Sequence, residues 1–155
     1  MLESRLQQLE DDLALRKLIA AYTRTGDAFE WQAWSELFTP DAVFTVPGAF
    51  GILRGRQEIH DIPKSKIDGV FHTTQHCIVN LDFDVQGDTA KGTGSLIYTA
   101  VADPAKPNEY YMAGGRYQWS FARTQAGWRI AKAHLDFLWN NGSGAESVFV
   151  EDPKG

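Results

Sequence analysis

Hydrophobic residues near the start of the chain recur at steps of three and four, with charged residues between them. This spacing places them on one face of a helix, so the pattern predicts an amphipathic helix over residues 3 to about 25. Gly26 provides an end for this helix, and Asp27 followed three residues later by Glu30 resembles the capping box of a second helix. The apolar positions of the first helix are Leu6, Leu9, Leu13, Leu18, Ile19 and Tyr22.

The segment that follows changes its pattern several times before residue 72. Apolar residues ahead of the T-P-D break predict a second helix, and they are Trp31, Trp34, Leu37 and Phe38. The turn-forming glycines and proline after that break separate short elements from one another. The elements predicted here are a strand over 42–46, a turn or hairpin over 47–55 and a third helix from 56 to about 62.

Beyond residue 72 the period of the pattern falls to two, and the segments are rich in Thr, Val, Ile and Tyr. This composition predicts strands, and the short Q-G-D and Q-A-G sequences between them predict hairpins. Three helices followed by an antiparallel meander indicate an α+β fold, in which a curved sheet wraps around the helices. The predicted strands are 73–85, 90–101, 110–124 and 128–138.

One strand carries two histidines, in the sequence F-H-T-T-Q-H-C-I-V-N. Because side chains repeat every two residues along a strand, both imidazoles are predicted to share one face. The face with the histidines is predicted to hold His72, Thr74, His76, Ile78 and Asn80. The opposite face is predicted to hold Thr73, Gln75, Cys77, Val79 and Leu81.

The composition is that of a globular protein, with 155 residues of which 43% are hydrophobic and 23% charged. We expect one domain over residues 1–142, followed by a tail over 143–155 for which two alternatives are open, a pocket lid or a disordered segment. Apolar runs are too short to cross a membrane, and no secretory segment is recognisable at the N-terminus, so cytoplasmic residence is expected. Cys77 is the single cysteine and has no partner for an internal disulfide.

Charge and aromatic content narrow the classes of partner. The net charge is -5 and the basic residues are scattered, which excludes the continuous basic surface that nucleic acid requires. Aromatic residues make up 12% of the chain and fit a pocket for flat apolar ligands. Aromatic-rich packing or a dimer interface would give the same composition.

The order of short motifs along residues 9–138 resembles the SnoaL-like branch of the nuclear-transport-factor-2-like superfamily. The resemblance implies a cone-shaped α+β barrel, a small hydrophobic or aromatic ligand and a homo-oligomer, either dimer or trimer. The motifs that carry it are Y-T-R-T-G-D-A-F-E-W-Q-A-W, L-F-T-P-D-A-V-F, G-R-Q-E-I, T-Q-H-C-I-V-N, G-D-T-A, G-R-Y and G-W-R-I-A-K.

The resemblance also implies a catalytic pair, in which a histidine inside the cone abstracts a proton and an aspartate at the end of the first helix holds the histidine. By motif position these residues are His76 and Asp27. The alternative is a core histidine and a helix-capping aspartate. The chain departs from the dehydratase and dehydrochlorinase members at Gly26, Ala100 and Ala133, so the leaving-group machinery of those members does not carry over.

Further candidates would bind the substrate or stabilise developing charge. Tyr22 lies on the buried stripe of the first helix, and Arg116 and Gln118 share a strand face that is functional if it points inward. The remaining substrate-binding candidates are Trp31, Tyr98 and His72. Because His72 and His76 are about 13 Å apart along a strand, at about 3.3 Å per residue, we predict no metal site, and we expect no other cofactor.

The sequence therefore predicts a cofactor-independent lyase, such as a dehydratase, or an isomerase that acts on a small hydrophobic cyclic or aromatic substrate. Loss of water or halide, ring isomerisation and retro-aldol cleavage are equally compatible with the pair. The alternative from a different class is a non-catalytic module of the same fold that binds a small molecule or mediates dimerisation.

Overall fold

The computed structural model describes residues 1–143, which form three helices and a six-stranded sheet. Of the predicted tail, all but Ser143 lies outside the described residues. Within them, no helix is both long and apolar enough to cross a membrane. The elements are α1 (Leu2–Asp27), α2 (Trp31–Ser35), β1 (Phe38–Val46), β2 (Gly51–Arg54), α3 (Gly55–Ile67), β3 (Thr73–Gln86), β4 (Thr89–Val101), β5 (Tyr110–Thr124) and β6 (Gly127–Asn140).

The sheet has the strand order β2-β1-β6-β5-β4-β3, and all of its pairs are antiparallel except the parallel pair β1 and β6. The four long strands form the predicted meander, and β1 and β2 extend it on one edge. Helix α1 packs against β3 and β6, and α3 packs against β1 and β2. The predicted α+β fold, with three helices in a curved and mostly antiparallel sheet, is confirmed.

Helix α1 buries only part of the predicted apolar stripe. Leu18, Ile19 and Tyr22 are buried, but Leu6, Leu9 and Leu13 are at least half exposed. The first ten residues of the chain are all exposed, because the helix reaches the core only at Asp11. The apolar stripe of α1 therefore extends beyond the core, onto turns of the helix that are exposed in this chain.

Gly26 does not end α1, which continues through Asp27. A Cβ at Gly26 would lie 3.3 Å from both Cδ1 and Nε1 of Trp34, which is close enough to displace the indole. The glycine thus permits a close contact between α1 and α2 inside a helix. The predicted capping box is also absent, because the N-cap residue of α2 is Glu30, which makes no side-chain capping bond.

The second helix is shorter than predicted, since Phe38 begins β1. Phe38 lies beside Ile130 of β6, and its side chain is fully buried. A short apolar run does not distinguish a helix from a strand, and pairing with β6 decides the structure here. In the other direction, α3 is longer than predicted and continues to Ile67, with Pro63 inside it.

A β-bulge in β3 corrects the predicted face assignment after residue 79. The pairing with β4 shifts register between Val79 and Asp82, and Asn80 has a φ of 57°. The extra residue turns Leu81 to the same side as Ile78, and both side chains approach Gly94 of β4. Leu81 therefore packs against the core, contrary to the strict two-residue alternation.

A partly buried ion pair fixes α1 to β5, and a further hydrogen bond joins it to β6. The Asp11 carboxylate accepts two hydrogen bonds from the Arg123 guanidinium, at 2.8 and 2.9 Å, and a third from Nε1 of Trp128 at 3.1 Å. These hydrogen bonds, first of all that of Arg123, lower the pKa of Asp11 below its usual 3.8. The bidentate geometry defines where the first exposed turns of α1 join the core.

Removal of the Asp11 carboxylate tests this junction. We expect Asp11→Ala to lower the free energy of unfolding by about 3 kcal/mol, because Arg123 would lose its partner in a partly buried site. Since the pKa of Asp11 is lowered in the folded state, its contribution is present above pH 3.8 and is lost as the pH falls through the folded-state pKa. Urea unfolding at pH 7 and pH 3 would show the difference between wild type and variant shrinking at the lower pH.

The matched control is Asp12→Ala, one residue further along α1. Asp12 pairs with Arg16 on the surface, where such pairs contribute about 0.5 kcal/mol or less. A loss of stability as large in Asp12→Ala as in Asp11→Ala would contradict the role given to the pair of Asp11 and Arg123.

Candidate active site

A cavity with a volume of about 50 Å³ lies among the last turns of α1, α2, the end of α3 and the sheet. Most of its wall is apolar, and the polar side chains in it come from α1, β3, β4 and β5. The apolar side chains are those of Trp31, Trp34, Phe44, Phe50, Pro63, Ile67, Leu96, Leu135 and Phe137. The polar side chains are those of Tyr22, Thr74, His76, Tyr98 and Tyr117.

Beside this cavity the Asp27 carboxylate joins the end of α1 to β3. It accepts hydrogen bonds from the backbone N–H of His76 at 2.9 Å and from the hydroxyl of Thr74 at 3.2 Å. The third contact is between Oδ1 and Nδ1 of His76, at 2.5 Å. Both side chains are largely buried, with exposed fractions of 18% for His76 and 23% for Asp27. The carboxylate is thus directed to β3, and it does not cap α2.

The carboxylate determines the tautomer of His76. An ionised carboxylate only accepts hydrogen bonds, so the proton of the neutral imidazole lies on Nδ1 and the lone pair on Nε2. Among the described residues, no protein group bonds to Nε2. His76 therefore offers an unused basic nitrogen beside the cavity, which is the arrangement that a general base requires.

Two tyrosine rings flank the imidazole. Tyr98 is the direct cross-strand partner of His76 on β4, and the ring centroids are 4.7 Å apart. Tyr22 on α1 meets His76 edge-on at 6.2 Å. These contacts limit rotation of the imidazole and leave its position defined by Asp27 behind it and by aromatic rings around it.

A third tyrosine, Tyr117 on β5, forms a hydroxyl pair with Tyr22. The two oxygens are 2.9 Å apart, and either can be the donor. Burial raises the pKa of both phenols, and it also raises that of Tyr98, where the Asp27 charge adds to the effect. All three therefore remain neutral at physiological pH, and each keeps an O–H group that is able to donate.

Sequence reasoning missed Tyr117 and favoured the wrong face of its strand. Arg116 and Gln118 point to the exposed outer face of β5, so the inward orientation on which their predicted role depended is incorrect. The sequence Y-Q-W-S-F contains the signal, since Tyr117, Trp119 and Phe121 alternate with polar residues and all three are buried.

Two other candidates differ in their placement. Trp31 is buried in the cavity wall, where its Nε1 donates to the Asp68 carboxylate at 2.7 Å. His72 is exposed, precedes β3 and is not part of the wall. Among residues 1–143, no group of three His, Cys, Asp or Glu side chains is arranged to hold a metal ion.

A larger concavity, of about 730 Å³, lies on the outer face of the sheet. Its lining includes the polar and charged residues Gln118, His134, Asp82, Lys91 and Lys132. Neither His76 nor Asp27 reaches it. The smaller cavity therefore remains the candidate site, because His76 lines it together with three buried tyrosines and an apolar wall.

Comparisons with known proteins match most of the chain. Residues 7–134 fit the model of the SnoaL-like domain family. An NTF2-like protein with a cystatin-like fold from Novosphingobium aromaticivorans is 27% identical, with a TM-score of 0.76, over 96% of this chain and 94% of that one. A protein of unknown function from Mycobacterium tuberculosis is 26% identical, with a TM-score of 0.74, over 85% of this chain and 74% of that one.

A hexachlorocyclohexane dehydrochlorinase from Novosphingobium barchaimii shares the fold, with a TM-score of 0.76 at 19% identity, over 88% of this chain and 92% of that one. No curated protein matches the chain.

The His76 tautomer gives a direct test of the site geometry. At a pH where the imidazole is neutral, nitrogen-15 NMR of the wild type should show the proton on Nδ1, because Asp27 accepts it. The exposed His72 is the internal control and should show the ordinary mixture of tautomers. In Asp27→Ala the His76 preference should disappear, and its persistence in that variant would contradict the assignment.

Proposed function

This chain belongs to the SnoaL-like domain family, and we propose that it is a cofactor-independent lyase or isomerase acting on a small hydrophobic cyclic molecule. One observation carries the proposal. His76 presents a free Nε2 beside an apolar cavity while Asp27 occupies its Nδ1. The fold alone hosts many functions, so the proposal depends on this geometry.

The proposed reaction begins with proton abstraction. His76 Nε2 removes a proton from a carbon of the bound substrate, and Asp27 stabilises the imidazolium that forms. The electron pair of the broken C–H bond then forms a new double bond. In an elimination the leaving group departs and receives the proton from His76, and in an isomerisation the proton returns to a different carbon.

The apolar wall supports this chemistry by excluding water from the reacting pair. Interactions between Asp27 and the imidazolium are stronger in such surroundings than in water. A six-membered ring is larger than the cavity of about 50 Å³, since even benzene occupies a cavity of about 150 Å³. Substrate entry therefore requires side chains of the wall to move, and Phe50 and Phe137 are the partly exposed aromatic residues there.

The predominantly apolar wall also supports a second candidate function, a binding module that holds a ligand without converting it. The two functions differ in how they depend on His76. A binding module needs the shape of the cavity, whereas the enzyme needs the basic nitrogen.

Two small probes test the enzyme directly. 3-Hydroxycyclohexanone loses water, and 3-cyclohexenone isomerises, to the same conjugated enone, whose ultraviolet absorbance reports turnover. We expect His76→Ala and Asp27→Asn each to lower the rate by roughly 100-fold or more, because general-base catalysis contributes about 10²–10⁴-fold.

The matched controls lie outside the cavity. His72→Ala removes a neighbouring histidine, and Arg116→Ala removes a cation from the outer face, so both should stay within about twofold of wild type. Wild-type turnover in His76→Ala would remove the proposed base. Saturable binding of a probe without His76-dependent turnover would favour the binding module.

A further inference from the structure

The hydroxyls of Tyr22 and Tyr117 carry two protons, and the hydrogen bond between them needs only one. Each phenol has a single O–H donor and two acceptor lone pairs. One of the two protons is consumed in the 2.9 Å bond between the oxygens. Neither hydroxyl has another partner within residues 1–143, so the second proton has no acceptor among the residues that the structure describes.

This spare proton is buried in the wall of the cavity. Tyr22 and Tyr117 are 2% and 1% exposed, and both line the cavity that His76 also lines. A buried donor without an acceptor is unfavourable, so the site is prepared to receive an acceptor atom from a ligand. Because the two hydroxyls are bonded to each other, the pair polarises the donor that remains.

The charge of the wall restricts which acceptor fits. No Lys or Arg side chain lines the cavity among the described residues, and Asp27 places a negative charge directly behind His76. A substrate carboxylate would lose its water, find no cation and lie near that charge. A neutral oxygen needs only the single O–H donor that the pair supplies.

We propose that the Tyr22–Tyr117 pair binds a neutral carbonyl or hydroxyl oxygen of the substrate, so that the substrate is an uncharged oxygenated ring. This inference rests on the proposed function and restricts it. Among elimination, ring isomerisation and retro-aldol cleavage, it favours dehydration or isomerisation of cyclic ketones over loss of halide from a ring without oxygen.

Dehydration of a cyclic ketone with a hydroxyl on the β-carbon needs no further reactant. His76 takes the proton next to the carbonyl, the C–H electron pair becomes a carbon–carbon double bond, and the carbonyl π pair moves to the oxygen. The spare O–H of the tyrosine pair stabilises this enolate. When the enolate collapses, the C–O bond at the β-carbon breaks, and the leaving hydroxide takes the proton from His76 as water.

The test compares ligands of one shape that differ in oxygen and charge. Dissociation constants of cyclohexanone, methylenecyclohexane and cyclohexanecarboxylate are measured by NMR titration of wild type, Tyr22→Phe, Tyr117→Phe and the double variant. The relative affinity for the ketone over the alkene should fall by about fivefold in the double variant, as expected for one lost hydrogen bond.

The single variants should each lose less than the double variant, because the hydroxyl that remains still donates. Tyr111→Phe is the matched control, since this buried tyrosine lies outside the cavity wall and its variant should keep the wild-type ratio. The carboxylate should bind more weakly than the ketone to the wild type.

Several results would overturn the inference. These are an unchanged ratio in the double variant, an equal change in Tyr111→Phe, tighter binding of the carboxylate, or no saturable binding of cyclohexanone. If the double variant does not fold, the infrared carbonyl stretch of bound cyclohexanone decides. The stretching frequency should rise in Tyr117→Phe relative to wild type, because the remaining hydroxyl is no longer polarised by its partner. An unchanged frequency counts against the pair.

Failure of this inference is separable from failure of the proposed function. A ketone preference that depends on the tyrosine pair, without His76-dependent turnover of 3-hydroxycyclohexanone, supports the oxygen site and rejects the lyase. His76-dependent turnover supports the lyase. If the affinity ratio of ketone to alkene is then unchanged in the tyrosine variants, the oxygen site is rejected.

Discussion

The Asp27 carboxylate is the point on which the site depends, because it joins the end of α1 to the beginning of β3. Its two oxygens accept hydrogen bonds from the backbone N–H of His76, the Thr74 hydroxyl and the imidazole Nδ1. The same contacts therefore position the helix against the strand and select the tautomer of the histidine. A change at Asp27 would disturb both packing and chemistry, so the conservative Asn substitution is the informative one for the reaction rate.

The cavity combines the His76 imidazole, which the Asp27 carboxylate holds, with neutral groups. Tyr22, Tyr98 and Tyr117 are buried deeply enough to stay protonated, and apart from Thr74 the other side chains of the wall are hydrophobic. A base with O–H donors in an apolar cavity suits reactions in which charge develops briefly on an oxygen. It suits anionic substrates poorly, because no Lys or Arg of the described residues lines the wall to compensate their lost hydration.

Sequence patterns predicted the long elements well, and they predicted the contact between Asp27 and His76 through the family resemblance. They failed where tertiary pairing overrides a local pattern. Phe38 leaves the helical pattern because β6 pairs with it, and the bulge at Asn80 turns Leu81 inward. Tyr117 was missed although its strand alternates clearly, since the polar neighbours were preferred on chemical grounds over the buried aromatic face.

The claim that His76 takes a proton from carbon can be tested without knowing the natural substrate. Cyclohexanone is incubated with the protein in deuterium oxide, and NMR follows the replacement of the protons next to the carbonyl. The account predicts exchange that is accelerated by wild type, lost in His76→Ala and strongly reduced in Asp27→Asn. Equal exchange in wild type and His76→Ala would contradict it.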